Sequence, residues 1–193
     1  MKSFFMNLAI SCLAVSGCST SKDANSTDPK GKIINLKEVR ISTRRSDGCK
    51  LNEQTHEPIT GTLVNYAANG QMILKAELKD GHFNGETLEW YENGQMKRKG
   101  TLRNGSSSFG EHLFWHPNGQ LQSKETWLDG TATEMRQCWY EDGQMRWSMT
   151  EINGKQHGIS RSWHKNGQLE SRIEFNHGVI VKAEKWDQNG NPK

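Results

Sequence analysis

The chain has 193 residues, 33% of them hydrophobic and 24% charged, and 25 Lys and Arg against 22 Asp and Glu leave a formal charge of only +3. A charge this small, spread along the chain, excludes the basic stripe of a nucleic-acid binder. The densest basic run, Lys97-Arg98-Lys99, reads as a solvated strand face.

In chain order, Lys2 precedes an apolar stretch from Phe4 to Val15 broken only by Asn7 and Ser11. A dozen residues are too few for a membrane-spanning helix, which needs about 20. The stretch ends in Leu13-Ala14-Val15-Ser16-Gly17-Cys18 and so resembles the lipobox of bacterial lipoproteins. That resemblance implies a signal peptide over residues 1–17, cleavage after Gly17, and palmitate-type acylation of Cys18, since two or more chains anchor where one binds marginally. The plainer alternative is a secretory signal with a cysteine near its cut. Ser19, where Asp would retain a lipoprotein, favours the outer membrane, with the protein facing the periplasm. Residues 18–32, rich in Ser, Thr, Lys, Asp and Asn, are expected to be a flexible tether that buries too little apolar surface to fold.

Of four cysteines, Cys12 leaves with the signal and Cys18 carries lipid, so Cys49 and Cys138 remain. About three repeats of strand spacing put these two about 30 Å apart, against the ~7 Å that a disulfide tolerates, so they are expected to be free. Residues 33–60 read as capping strands. Ile33, Ile34, Leu36, Val39 and Ile41 suggest a strand before a Ser46-Asp47-Gly48 turn, and Leu51, Ile59 and Leu63 a degenerate first hairpin.

Residues 61–193 carry the repeats. Turn glycines Gly70, Gly94, Gly119, Gly143, Gly167 and Gly190 follow one another at 24, 25, 24, 24 and 23 residues, each preceded by Asn or Asp. Four residues before them stand Tyr66, Trp90, Trp115, Trp139, Trp163 and Trp186. Such regularity predicts an all-β array of about five to six tandem antiparallel β-hairpins in an elongated sheet. A three-residue loop such as Glu92-Asn93-Gly94, with glycine in the left-handed region, pairs Trp90 with Met96. On that register Met72, Met96, Leu121, Met145 and Leu169, together with Leu78, Leu102, Trp127, Glu151 and Phe175, are expected on the face of the Trp stripe. That face should be mostly buried and the opposite one wet, with Arg98-type positions snorkelling from the stripe side. Return turns are expected at Gly81, Gly105, Gly130, Gly154 and Gly178. Gly61, Gly85, Gly110 and Gly158 open the next strands, where a close backbone approach is expected.

The unit Gly-x4-Trp/Tyr-x2-Asn-Gly-x-Leu/Met resembles the bacterial variant of the MORN repeat, most closely at Gly85 to Met96 and Gly158 to Leu169, and over roughly Thr55 to Asn191. Gln71, Gln95, Gln120, Gln144 and Gln168 add to the likeness. The resemblance implies a MORN-like sheet. Because such proteins are broadly called toxin–antitoxin system antitoxins, it also raises a cognate toxin as a partner.

No residues assemble a catalytic pattern. His112 and His116 share a strand face but lie about 13 Å apart, too far to share a zinc ion. All seven histidines read as surface residues, Cys138 as an inert thiol, and the chain as a non-enzyme with no cofactor or metal. The expected function is a protein-binding envelope scaffold, held to the membrane by its lipid and docking another envelope protein. The alternative is an antitoxin or immunity protein. The candidate binding face is the row Tyr91, His116, Tyr140 and His164, just before the turns, since aromatic and histidine rows are enriched at interfaces.

Overall fold

The structure, a computed structural model, describes residues 33–193 apart from 45, 47, 104, 106 and 128–132, with only the backbone of 107–109 and 133. The lipobox, Cys18 and the tether lie outside the described residues, as do Asn104, Asp129 and Gly130 of two return turns. The described residues form no helix. A cap comes first, with β1 (Ile33–Asn35), β2 (Ile41–Thr43) and β3 (Lys50–Asn52). The array follows as β4 (Gly61–Tyr66), β5 (Met72–Lys79), β6 (His82–Trp90), β7 (Met96–Arg103), β8 (Ser107–Trp115), β9 (Leu121–Trp127), β10 (Thr133–Trp139) and β11 (Met145–Ile152). It closes with β12 (Lys155–Gln156), β13 (Gly158–Trp163), β14 (Leu169–Asn176) and β15 (Val179–Lys185). From β4 to β15 each strand pairs antiparallel with the next, except that β11 pairs both β13 and the short β12. The predicted all-β array of hairpins is therefore the observed fold.

Both kinds of turn follow from local chemistry. At the Trp–Asn-Gly end, Tyr91 N–H donates to Gln95 O and Gly94 N–H to Tyr91 O, both at 2.9 Å, with Gly94 at φ 85°. The three-residue loop and the Trp90–Met96 pairing appear as read. At the other end, Asp80-Gly81, Asn153-Gly154 and His177-Gly178 each hold both residues at positive φ, the type I′ geometry whose twist suits two-residue hairpins. His177, a residue that tolerates the left-handed region less readily than Asn, adopts φ 49° there. The strand-opening glycines divide. A side chain at Gly85 would strike Glu77, the expected crowding, whereas Gly110 and Gly158 face open space and are set by φ values of 73° and 76°.

The face assignment needs correcting. A bulge falls between Glu89 and Trp90 and recurs in the sister hairpins, so Trp90 pairs with Met96 but Glu89 pairs with Arg98. One extra residue reverses the side-chain alternation beyond it. Leu78, Leu102, Trp127, Glu151 and Phe175 consequently lie opposite the Trp stripe, and Arg98 does too, where it bonds Glu89 Oε1 at 3.3 Å instead of snorkelling from the stripe side. Nor is the stripe sunk in a core, because Tyr66, Trp90, Trp115, Trp139, Trp163 and Trp186 are all half-buried.

The apolar core sits at the amino-terminal end, on the face opposite the stripe. Ile34, Ile59, Leu63, Leu74, Ala76 and Leu78 are buried together, flanked by Leu36, Val39, Ile41 and Phe83. The cap supplies half of these residues. Its first strand is shorter than read, since Glu38 and Val39 N–H both turn back to Asn35 O. Strand β1 then runs parallel to β4, and β2 pairs β3 in a separate small hairpin. Cys49, 1% exposed, fills the space over Gly81, where a Cβ would meet its sulfur, while Lys50 N–H bonds Gly81 O and Gly81 N–H bonds Ile59 O. Cap and array are thus joined at the first return turn. Cys49 and Cys138 are both buried, and neither is in a disulfide.

Candidate functional site

The turn edge of the sheet is built by four residue types that recur along the repeats. Asn69, Asn93, Asn118, Asp142 and Asn166 each accept the N–H of the glutamine two residues on, as Asn93 Oδ1 does from Gln95 and Asp142 Oδ1 from Gln144, both at 3.0 Å. The same Asn also donates across to the following repeat. Asn69 reaches Glu92 O, Asn93 reaches Pro117 O, Asn118 reaches Glu141 O and Asn166 reaches Gln188 O, at 2.7–3.0 Å. The glutamine side chains lie over the next turn glycine, so that a Cβ on Gly119 would come within 2.9 Å of Gln95 Oε1. Glycine is required there by φ, while the glutamine tip, at the end of a flexible side chain, could move aside.

The fourth type is the candidate binding row. Tyr91 Oη donates to Trp115 O at 2.7 Å and Tyr140 Oη to Trp163 O at 2.9 Å. His116 Nε2 donates to Trp139 O at 3.2 Å and His164 Nε2 to Trp186 O at 3.1 Å, each with its proton on Nε2 because a carbonyl only accepts. The four rings form one row, as the sequence placed them, and their polar tips brace repeat to repeat. Desolvation pushes the Tyr91 phenol above its ordinary range. What stays available is ring surface, overlaid by Lys97 on Tyr91 at 5.8 Å and by Arg146 on Tyr140 at 5.6 Å. His116 is only 9% exposed, so the surface reading of the histidines fails there.

It fails again at His112, which is 2% exposed. Its ring rests on Gly100, where any Cβ would sit 2.5 Å from Nδ1, and Nε2 meets Thr101 O at 3.0 Å. Burial pulls the imidazole below its ordinary 6.5, with the Thr101 bond and Glu125 opposing and Arg98 assisting. A lone Gly100 in mid-strand, out of step with the repeat glycines, was the available signal.

Next to the Tyr/His row, the core face runs on as Leu74, Glu89, Arg98, Phe114, Ser123, Cys138, Trp147, Ser162 and Ser171, paired strand by strand. The row is apolar under the cap and mixed beyond it. Arg98 stacks on Phe114 at 5.5 Å and Arg136 on Trp127 at 5.9 Å, and Arg136 also bonds Glu134 Oε2 at 2.6 Å. Arg98 Nε, Arg136 Nε and Trp127 Nε1 are shielded from solvent and have no acceptor. Desolvation also raises the Cys138 thiol, the opposite of what an activated nucleophile needs. Among the described residues no three His, Cys, Asp or Glu side chains converge as metal ligands. No helix of those residues is long and apolar enough to cross a membrane.

The turns Asn93-Gly94-Gln95, Asn118-Gly119-Gln120 and Asn166-Gly167-Gln168, preceded by Tyr91, His116 and His164, mark three hairpins of one kind. The family model described as the MORN repeat variant matches residues 83–104, 110–129 and 156–177. Residues 83–177 are a MORN-repeat region. The match is narrower than the span read from the sequence. The hairpin of β10 and β11, between the second and third MORN matches, has the same bulged register without matching the model. No curated protein matches the chain significantly.

Proposed function

We propose that the chain is a non-enzymatic envelope lipoprotein whose MORN-type array docks another protein on the face opposite the Trp stripe. The observation that carries this reading is the change along that face. The cap covers it over β4 and β5, and from β7 onward no described element packs substantially over it. There it presents Phe114, Trp127 and Trp147 beside two arginines, with three N–H groups lacking acceptors. Unpaired shielded donors cost stability in the free chain and gain it when a partner supplies carbonyls. The Tyr91, His116, Tyr140 and His164 row forms the rim of this surface, Tyr91, Tyr140 and His164 offering ring faces while all four tips remain bonded within the array. The stretch before Cys18, and Ser19 after it, support acylation of Cys18 and an outer-membrane position facing the periplasm, with residues 18–32 as tether and 33–60 as cap.

The test is crosslinking and pull-down of the intact lipidated protein from its own envelope, beside a variant carrying Lys97→Glu and Arg146→Glu. Both side chains are exposed. Besides overlying the rim rings, Lys97 pairs with Glu89 at 3.9 Å and Arg146 lies beside the Cys138 thiol. Exposed contacts of this kind are worth about 0–1 kcal/mol each, so folding should survive. The partner's recovery should fall at least tenfold. Equal recovery from the variant removes this face as the docking site. A captured toxin whose activity the chain blocks would replace the scaffold with the immunity reading. Cys18→Ser should release the protein from the membrane fraction.

A further inference from the structure

The ring-to-carbonyl brace is missing at one position. Tyr91, His116, Tyr140 and His164 serve the carbonyls of Trp115, Trp139, Trp163 and Trp186, but the residue that should serve Trp90 is Ala67, which has no donor. The same unit departs a second time. Three residues past the turn glycine, where Lys97 and Arg146 lie over the rings of their own repeats, the first unit has Ile73.

A cleft of about 290 Å³ opens at this place, lined by Ile73, Leu74, Glu89, Trp90, Tyr91 and Lys97 among others. Moved one repeat along, those six positions become Lys97, Arg98, Phe114, Trp115, His116 and Gln122, the residues among which Tyr91 reaches the Trp115 carbonyl. The cleft therefore occupies the ring site of the first repeat. Its size lies just under the usual range of ligand pockets (roughly 300–1,000 Å³) and is ample for one ring, since a cavity of about 150 Å³ already holds a benzene.

The polarity of the walls says which ring. Imidazoles occur where the two wall positions are Gln122-Ser123 and Glu170-Ser171, and phenols where they are Lys97-Arg98 and Arg146-Trp147. Here the walls are Ile73 and the buried Leu74. An apolar wall desolvates an imidazole at a cost and favours the larger, more apolar phenol. On the far wall Glu89 is already paired with Arg98 and Lys97, so it does not demand a cation.

We propose that this cleft is a docking socket for a tyrosine side chain presented by a protein partner, its ring against Ile73 and Leu74 and its hydroxyl donating to the Trp90 carbonyl. The proposal rests on the scaffold reading for its partner, and names the anchor by which that partner engages the face just beyond the cap. The ring it accepts completes the interrupted row of braces, and its polar tip meets the Trp90 carbonyl, which none of the ring braces among the described residues serves.

The test uses the full chain, labelled with ¹⁵N and titrated with 4-methylphenol, N-acetyl-tyrosinamide and toluene in parallel. Both phenols should shift the amides of Ile73, Leu74, Trp90 and Tyr91, leave those of Tyr140 and His164 in place, and bind at least tenfold more tightly than toluene. Ala67→Tyr and Ala67→His should abolish those shifts by supplying the ring internally. The wild-type titration stands even if neither variant folds. Absent shifts, equal response to toluene, or equal response at the sister repeats would overturn the socket. Binding of 4-methylphenol without N-acetyl-tyrosinamide would overturn the partner side chain in favour of a small free phenol. None of these outcomes depends on recovering a partner, so failure here is separable from failure of the envelope pull-down.

Discussion

At Tyr91 a single hydroxyl separates two roles, brace and binding surface. Tyr91→Phe keeps the ring and its Lys97 neighbour but loses the bond to Trp115 O, and should cost about 0.5–1.5 kcal/mol in urea unfolding. Unchanged stability would mean that the bond carries nothing. The row was legible in the sequence as a recurrence, since rings stand just before four turns. Its use was not, because the acceptor is a backbone carbonyl 22–24 residues away that no side-chain pattern announces. His112 was misread for a related reason, its burial depending on Gly100 in the neighbouring strand. Its folded-state pKa lies below the unfolded value of 6.5, so the unfolded chain binds the proton more readily. The stability it contributes is whole above pH 6.5 and is lost as the pH falls through the lowered folded value. Urea midpoints between pH 7.5 and 5 should decline for the wild type, and the decline should be shallower in His112→Gln.

At the scale of the hairpin, the turn chemistry was fully legible, because Asn-Gly spacing and a coherent pairing of Trp90 with Met96 allow only the three-residue loop. The bulge beyond it was not, since one extra residue leaves the turn unchanged while reversing every later side chain. The repeats also show where an edge contact is missing. Asp142 keeps the bond from Gln144 N–H but has no amide to donate across to the next turn, as Asn69, Asn93, Asn118 and Asn166 do. Asp142→Asn should add a bond toward the Lys165 carbonyl and stabilise the chain by about 0.5–1 kcal/mol, read as a higher urea midpoint at unchanged slope. The half-buried tryptophans change the cost of deleting them. Trp115→Ala should fall short of the roughly 3–5 kcal/mol of a fully buried ring, and Trp186→Ala, at the last turn, should cost less again. Equal losses at the two sites would show that the far end is packed as firmly as the middle.

Over the whole molecule, stability and recognition are placed at different ends. The residues buried as one core belong to the cap, β4 and β5, whereas Val179, Ile180 and Val181 on β15 are 57–67% exposed. Between them the array relies on strand pairing and the one-per-repeat braces, the nearest-neighbour arrangement of repeat proteins. An array fixed at one end, and open on one face over most of its length, is suited to docking. The most direct test is residue-resolved amide hydrogen exchange on the full chain under native conditions. Protection should be greatest in β4 to β6 and fall stepwise toward β14 and β15, because each unit further from the cap has less buried surface to hold it closed. Uniform protection from β4 to β15, or protection that peaks at the carboxyl end, would contradict the account.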